Sequence, residues 1–567
     1  MAAQEAAGQQ TSAPMQAMAM TPCVGGFAGP YACDNVDLMA FMPMSSIGGG
    51  GGNDIWGWTD PQDGSEYAVM GRTTGTSFVD ISDPENPVYL GNLPAHNGVS
   101  SSWRDIKVYA NHAFIVSEAG GHGMQVFDLT ELRSVVSPPV TFSETAHFAG
   151  FGSAHNIVIN EDTGFAYGVG AGTCAGGLHF VNIQNPTSPV DAGCFSADGY
   201  THDAQCIIYN GPDTTYTGSE ICFNANEDSL TIVDVTDKGN PVQLSRRTYA
   251  GSVYAHQAWA TEDHVYVLLG DELDEQGNGH NTRTYIWDVS DLNNNGGFMG
   301  FYDSAEPAID HNLYIKGDYV YQSNYAAGLR ILDITDISNA NLFEEAFFDT
   351  YTPHNNPTFD GSWSNYPYFA SGIVVVTSRG EGLFIVRPNL QADFNLGVTP
   401  PAGDVCAPSD AVYDIDLTAL NGFSDTVTLS AYGHPTPPGS AVFSNNSMPV
   451  PYTSTLTVGT TGAIPGSYSI DVVGVAATST HTSTVTLLVS DSAPAGTTLV
   501  APANGATNVS TQPTFEWSAV AGAAQYYLEV ATDPGFTNVV YSAAETGTSH
   551  TAASALNPAT PHFWRVT

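Results

Sequence analysis

Basic residues are scarce in this sequence. Thirteen Lys and Arg stand against 57 Asp and Glu, a formal net charge of −44 over 567 residues, and lysine occurs only at Lys107, Lys238 and Lys316. A chain without a cationic stripe has nothing to displace counterions from a phosphate backbone, which excludes nucleic acid and anionic membrane as partners. Long apolar runs are missing too. None reaches the roughly 18 residues that a spanning helix needs, so no transmembrane segment is expected. The stretch from Met1 to Met20 lacks a basic region followed by an apolar one and does not read as a signal peptide. Also absent are Cys-x-x-Cys spacing, a Gly-x-Ser-x-Gly turn, a P-loop and a glycine-rich βαβ unit. Those absences argue against zinc knuckles, thioredoxin-type redox chemistry, a serine-nucleophile elbow and a phosphate cradle. Helical periodicity is missing throughout.

What remains is acid, turn residues and short β-type runs. The carboxylates suit hard cations such as Ca²⁺, or serve only as a solvated surface. The chain is too long for one ordinary core. Its seven cysteines fall into close neighbours, Cys23 with Cys33, Cys174 with Cys194 and Cys206 with Cys222, with Cys406 left over. In a lysine-poor acidic chain these read as three disulfides made in an oxidising compartment. Residues 1–22, rich in Ala, Gln and Met, are expected to be disordered.

Internal repetition points to the fold. One phrase, apolar alternation ending on an acid, recurs at Ser77-Phe78-Val79-Asp80, Gln125-Val126-Phe127-Asp128, His179-Phe180-Val181-Asn182 and Thr231-Ile232-Val233-Asp234. It continues at Tyr285-Ile286-Trp287-Asp288, Arg330-Ile331-Leu332-Asp333 and, with the acid lost, Phe384-Ile385-Val386-Arg387. A second landmark keeps step with it: Asn53-Asp54, Arg104-Asp105, His155-Asn156, His202-Asp203, His256-Gln257, His311-Asn312 and Trp363-Ser364. Four short strands per unit of about 50 residues is how a propeller blade reads. The expectation is an all-β chain: a seven-bladed β-propeller over 23–388, followed by two β-sandwich modules. The alternating segment 36–41 has no blade of its own and should close the ring as the outer strand of the last blade, removing two open edges.

The phrases GLRILDITD, TIVDVTDKGNP and FVDISDPENPVYLG resemble LVIVD repeats. The longer strings DIWGWTDP, SAHNIVIN, GYTHDAQC, IDHNLYIKG and WSNYPYFASG are similar to those of the choice-of-anchor B family of bacterial surface proteins, from Cys23 to Pro388. That resemblance implies export and attachment to the cell surface through a C-terminal signal, which this chain does not display. It implies no reaction. Beyond Pro388 the composition turns to Ser, Thr, Val and Ala. Residues 389–492 read as an immunoglobulin-like sandwich. Residues 493–567 resemble a fibronectin type III module whose last strand is missing, as if the sequence stopped inside a longer protein.

Blade symmetry brings the start of each first strand and the end of each second strand to one channel mouth. The candidate metal ligands there are His155, His202, His256 and His311 from four consecutive blades, for a transition metal. The acidic run from Asp271 to Glu275 supplies Asp271, Glu272 and Asp274, for Ca²⁺. Candidate ligand-binding residues are Arg104, Asp105, Glu118, Asp203, Tyr325 and Trp363, and His122 lies in a glycine-rich loop nearby. A second reading stays open: each His-Asn or His-Asp pair merely ties neighbouring blades by hydrogen bonds, and the acidic run is a solvated loop. Two functions follow. One is a secreted or cell-surface scaffold that binds an extracellular glycan, peptide or protein at the mouth. The other is a metal-dependent extracellular oxidoreductase or hydrolase built on the histidines.

Overall fold

The computed structural model describes residues 16–390, 393–420, 423–434, 439–477, 479–490, 496–520, 523 and 525–567. The chain is all-β, and it divides into two compact units, Met1–Gln391 and Ala392–Thr567. No helix among the described residues is long and apolar enough to cross a membrane.

In the first unit seven sheets follow one another along the chain, antiparallel except where the short strand Val140–Thr141 runs parallel to Val88–Pro94. Their first strands are Gly52–Thr59, Arg104–Tyr109, Asn156–Asn160, Asp203–Ile208, Ala255–Ala260, Leu313–Lys316 and Ser362–Tyr366. Each first strand neighbours the next, and Ser362–Tyr366 neighbours Gly52–Thr59, so the series is cyclic. The recurring apolar-acid phrase is the third strand of each sheet, as in Leu230–Asp234 and Leu329–Asp333. These strands are covered on both faces by neighbouring sheets, which is why they read as near-continuous apolar runs. Val36–Pro43 completes the last sheet, pairing antiparallel with Gly382–Pro388 along its whole length.

Fourth strands carry a repeated bulge, with the register shifting between Phe78 and Val79 opposite Gly91. Gly91 has φ 148°, and a Cβ there would strike the Val140 carbonyl. Only glycine fits that approach.

Of the segment 1–22, expected to be disordered, residues 1–15 lie outside the described residues. Met18 and Thr21 bridge to Phe41 and Leu38, so this end is ordered along the closing strand. The three expected disulfides are present, and Cys406 is unbridged. The second unit holds a pair of sheets around Phe394, Tyr413, Leu456 and Leu487, then a second pair around Phe515, Trp517 and Leu528.

Candidate functional site

Both members of the landmark pairs join neighbouring sheets. Their second members tie first strands together: Asp54 accepts from Ile106 N (3.1 Å) and Asp105 from Ile157 N (2.6 Å). Gln257 donates to Asp203 (3.0 Å) and accepts from Leu313 N. Asp105 also holds Lys107 Nζ at 2.8 Å, and Lys107 lies over the Trp56 ring. Burial drives the Asp203 carboxyl up to about 7, aided by Asp105 and opposed by Lys107. Asp105 and Asp203 therefore belong to a polar belt between sheets. Just past that belt lies a cavity of about 560 Å³, lined among others by Trp56, Lys107, Asp203, Trp259 and Tyr368.

The first members also bond to neighbouring sheets, His202 and His311 through the backbone carbonyls of the next one, and four of them line up as well. Four imidazoles form an unbroken arc, with ring centroids 4.2 Å apart for His155 and His202, 4.1 Å for His202 and His256, and 4.3 Å for His256 and His311. His202 Nδ1 lies 2.9 Å from the His256 carbonyl, and His311 Nδ1 lies 2.5 Å from that of Trp363. A carbonyl only accepts, so both protons sit on Nδ1 and both Nε2 atoms present lone pairs. His155 Nδ1 is held by Glu118 at 2.7 Å in the same sense. Fixing one ring nitrogen so that the other is free is the arrangement that metal-ligating histidines use. Burial, with smaller contributions from the neighbouring imidazoles, pushes His202 and His256 well below the usual range. Burial takes His311 to about 3. All three rings are neutral at ordinary pH.

Glu272 completes the cluster. Its carboxylate stands 3.9 Å from His256 Nε2 and 3.7 Å from His311 Nε2, and Tyr325 donates to it at 2.8 Å. Ligand atoms of His256, Glu272 and His311 all lie within 4.8 Å of one another, and all three residues are buried. Two donors on one tetrahedral ion at about 2.0–2.1 Å sit roughly 3.4 Å apart, so a small contraction would close this site on a metal. His311 carries its proton on Nδ1, so its Nε2 lone pair faces the carboxylate, a contact that is unfavourable unless a proton or a cation lies between them. His155 and His202 continue the arc but are not in this three-ligand group.

Other expected residues sit elsewhere. Asp271, read as a cation ligand, spends its oxygens on Tyr249 OH (2.7 Å), Val253 N (2.9 Å) and Tyr254 N (2.5 Å). Glu272 joins the histidines rather than the acids. Arg104 is buried, donating to the Arg72 carbonyl (3.1 Å) and to His122 Nε2 (2.8 Å). His122 is thus a buried partner of Arg104, not a loop reaching for the mouth. Trp363 lends its carbonyl and ring to His311. The acidic run is not solvated: Asp271, Glu272, Asp274 and Glu275 are all buried. A second group, Asp274, Glu275 and Asp310, also gathers within 4.8 Å. Sequence reading had Glu275 within the acidic run and missed Asp310. The only signal for Asp310 was its place immediately before the landmark His311.

An LVIVD repeat is found at residues 311–346, spanning the first three strands of the sixth sheet and part of its fourth. Comparison with curated proteins gives no match. Among solved structures, domains 4 and 5 of the S-layer protein SbsC are 17% identical, over 29% of this chain and 91% of that one, with a TM-score of 0.15. Titin domains A168–A170 are 15% identical, over 34% and 66%, with a TM-score of 0.20. A Bacteroides thetaiotaomicron protein of unknown function is 11% identical, over 63% and 76%, with a TM-score of 0.33. These likenesses are too slight to carry an argument about fold or activity.

Proposed function

We propose that this chain is a secreted cell-surface protein whose seven-bladed β-propeller, residues 23–388, holds a transition metal at one channel mouth. Its ligands are His256, His311 and Glu272, with His155 and His202 extending the arc. Two β-sandwich modules, 389–492 and 493–567, carry the propeller as spacers. The cyclic order of seven first strands supports the blade count, and the LVIVD repeat and the choice-of-anchor B phrases agree with a surface protein. Three disulfides fit an extracellular setting. The metal-bearing mouth is a binding centre for an extracellular glycan, peptide or protein.

One observation carries the metal reading: two imidazole nitrogens, one with its proton fixed on the far side, meet a buried carboxylate at under 4 Å. Elemental analysis of the purified chain tests it. The expected result is one Zn, Cu or Fe per chain, lost in a His256→Ala/His311→Ala variant that keeps its β-type circular dichroism. Metal content that ignores the substitution sinks the reading. Turnover of a simple ester or redox dye, lost in the same variant, would move the protein to the enzyme class.

A further inference from the structure

The loop that sends Glu272 to the histidines runs on into a one-turn helix, Asp274–Asn278, whose first two side chains meet Asp310. Asp274, Glu275 and Asp310 are 0%, 3% and 3% exposed. Tyr285 donates to Asp274 Oδ2 at 2.5 Å. Asp274 Oδ1, both oxygens of Glu275 and Asp310 Oδ1 have no hydrogen-bond partner outside the cluster. Buried polar atoms in native proteins are nearly always satisfied, and here four oxygens are short together.

Two further observations point into the same space. His280 Nδ1 lies 2.7 Å from the Asn281 carbonyl, so its proton is committed there. Its Nε2 is buried without a partner and faces Asp274 Oδ2 at 3.6 Å, a lone pair against a carboxylate. Gly270 stands beside Asp310, where any Cβ would collide with the carboxylate. Arg283 is the positive charge acting on Asp274, and it pairs with Asp303 at 3.1 Å. Burial, then the neighbouring acids, raises Asp274 to about 7 and Glu275 to about 12. A shared proton between two carboxyls would satisfy one contact and leave the Asp310 oxygen and the imidazole facing nothing. A cation satisfies them all.

We propose that Asp274, Glu275 and Asp310, with His280 Nε2, form a second metal site that takes one hard divalent ion of the Ca²⁺ or Mn²⁺ kind. Carboxylate oxygens with a single imidazole suit such ions better than soft ones. The site is separate from the histidine arc, yet it grips the residue beside His311 and the loop that bears Glu272. Its ion would fix both in place.

Equilibrium dialysis of the chelator-treated full chain against Ca²⁺ or Mn²⁺ alone tests this. The expected result is one ion per chain, kept by His256→Ala/His311→Ala and lost by both Asp310→Asn and Glu275→Gln. Tb³⁺ provides a readout on the unaltered chain, because Tyr285 touches Asp274 and can sensitise its emission. That emission should appear on adding Tb³⁺ and be displaced by Ca²⁺ or Mn²⁺. If the unaltered chain binds neither ion at about 1 mM, the weak end of protein Ca²⁺ sites, the proposal is overturned. Binding that survives both amide variants overturns it equally. Should the variants fail to fold, the displaced Tb³⁺ emission decides.

Discussion

A buried imidazole that must stay neutral makes folding sensitive to acid, and His122 is the clearest case outside the two candidate metal groups. It is fully buried, gives its Nδ1 proton to the Gly123 carbonyl (3.0 Å) and accepts from Arg104. Burial first, then the Arg104 guanidinium, hold it down at about 4. The unfolded chain takes up this proton below roughly pH 6.5, whereas the folded chain refuses it until near pH 4. Its contribution is therefore complete above pH 6.5 and is lost as pH falls toward 4, on the order of 3 kcal/mol in all. His122→Gln should shrink the drop in thermal midpoint between pH 7 and pH 5. Identical pH profiles for the two proteins would remove His122 as the cause. Sequence reading placed this residue in a mobile loop because Gly120, Gly121 and Gly123 surround it. Glycine spacing reports backbone freedom, not where a side chain is buried. The same limit hid Asp310, since an acid is read as solvated unless a partner is visible nearby.

At the scale of elements, the landmarks were legible because they recur. Seven aligned pairs marked seven first strands, and the third-strand phrase marked the next fixed point in each sheet. Blade symmetry gathered the four histidines, and their rings lie side by side. That Asp105 and Asp203 would be spent between sheets was not legible, because adjacent residues of a strand simply point opposite ways. Disulfides were easier, being short loops across a turn. Cys206 and Cys222 lie directly opposite each other on Asp203–Ile208 and Glu220–Ala225. Closing a loop of this length is worth about 3 kcal/mol in the chain-entropy model. The double variant Cys206→Ala/Cys222→Ala should lose about that much in urea unfolding, while thiol titration of the denatured, unreduced parent finds one free cysteine, Cys406. Two or more free thiols in the parent, or an unchanged midpoint in the variant, would contradict the bridge.

At the scale of the first unit, stability depends on a strand that the sequence places more than three hundred residues from its partner. Val36, Leu38, Met39 and Phe41 are all at most 1% exposed. Burying each contributes roughly 1.5–3 kcal/mol, so together they rival the whole net stability of a domain, about 5–15 kcal/mol. The strand also covers Phe384 and Val386, and Phe41 packs on Phe384 at a ring separation of 4.5 Å. Just before it, Tyr31–Asp34 pairs with Phe343–Phe348 of the sixth sheet, and the Tyr31 ring meets Phe41, Phe348 and Phe384. One N-terminal segment therefore stitches the sixth sheet and completes the seventh. A chain beginning at Asn53 would leave Gly382–Pro388 as an unpaired apolar edge, the kind that recruits other chains. It should aggregate or melt far below the parent, and Phe41→Ala alone should cost about 3–5 kcal/mol. Because the first strands are cyclic, the loss should be cooperative, appearing in one unfolding transition for all seven sheets rather than in the last one alone. A truncated chain that stays monomeric and unfolds at the parental midpoint would mean that the ring does not depend on this strand.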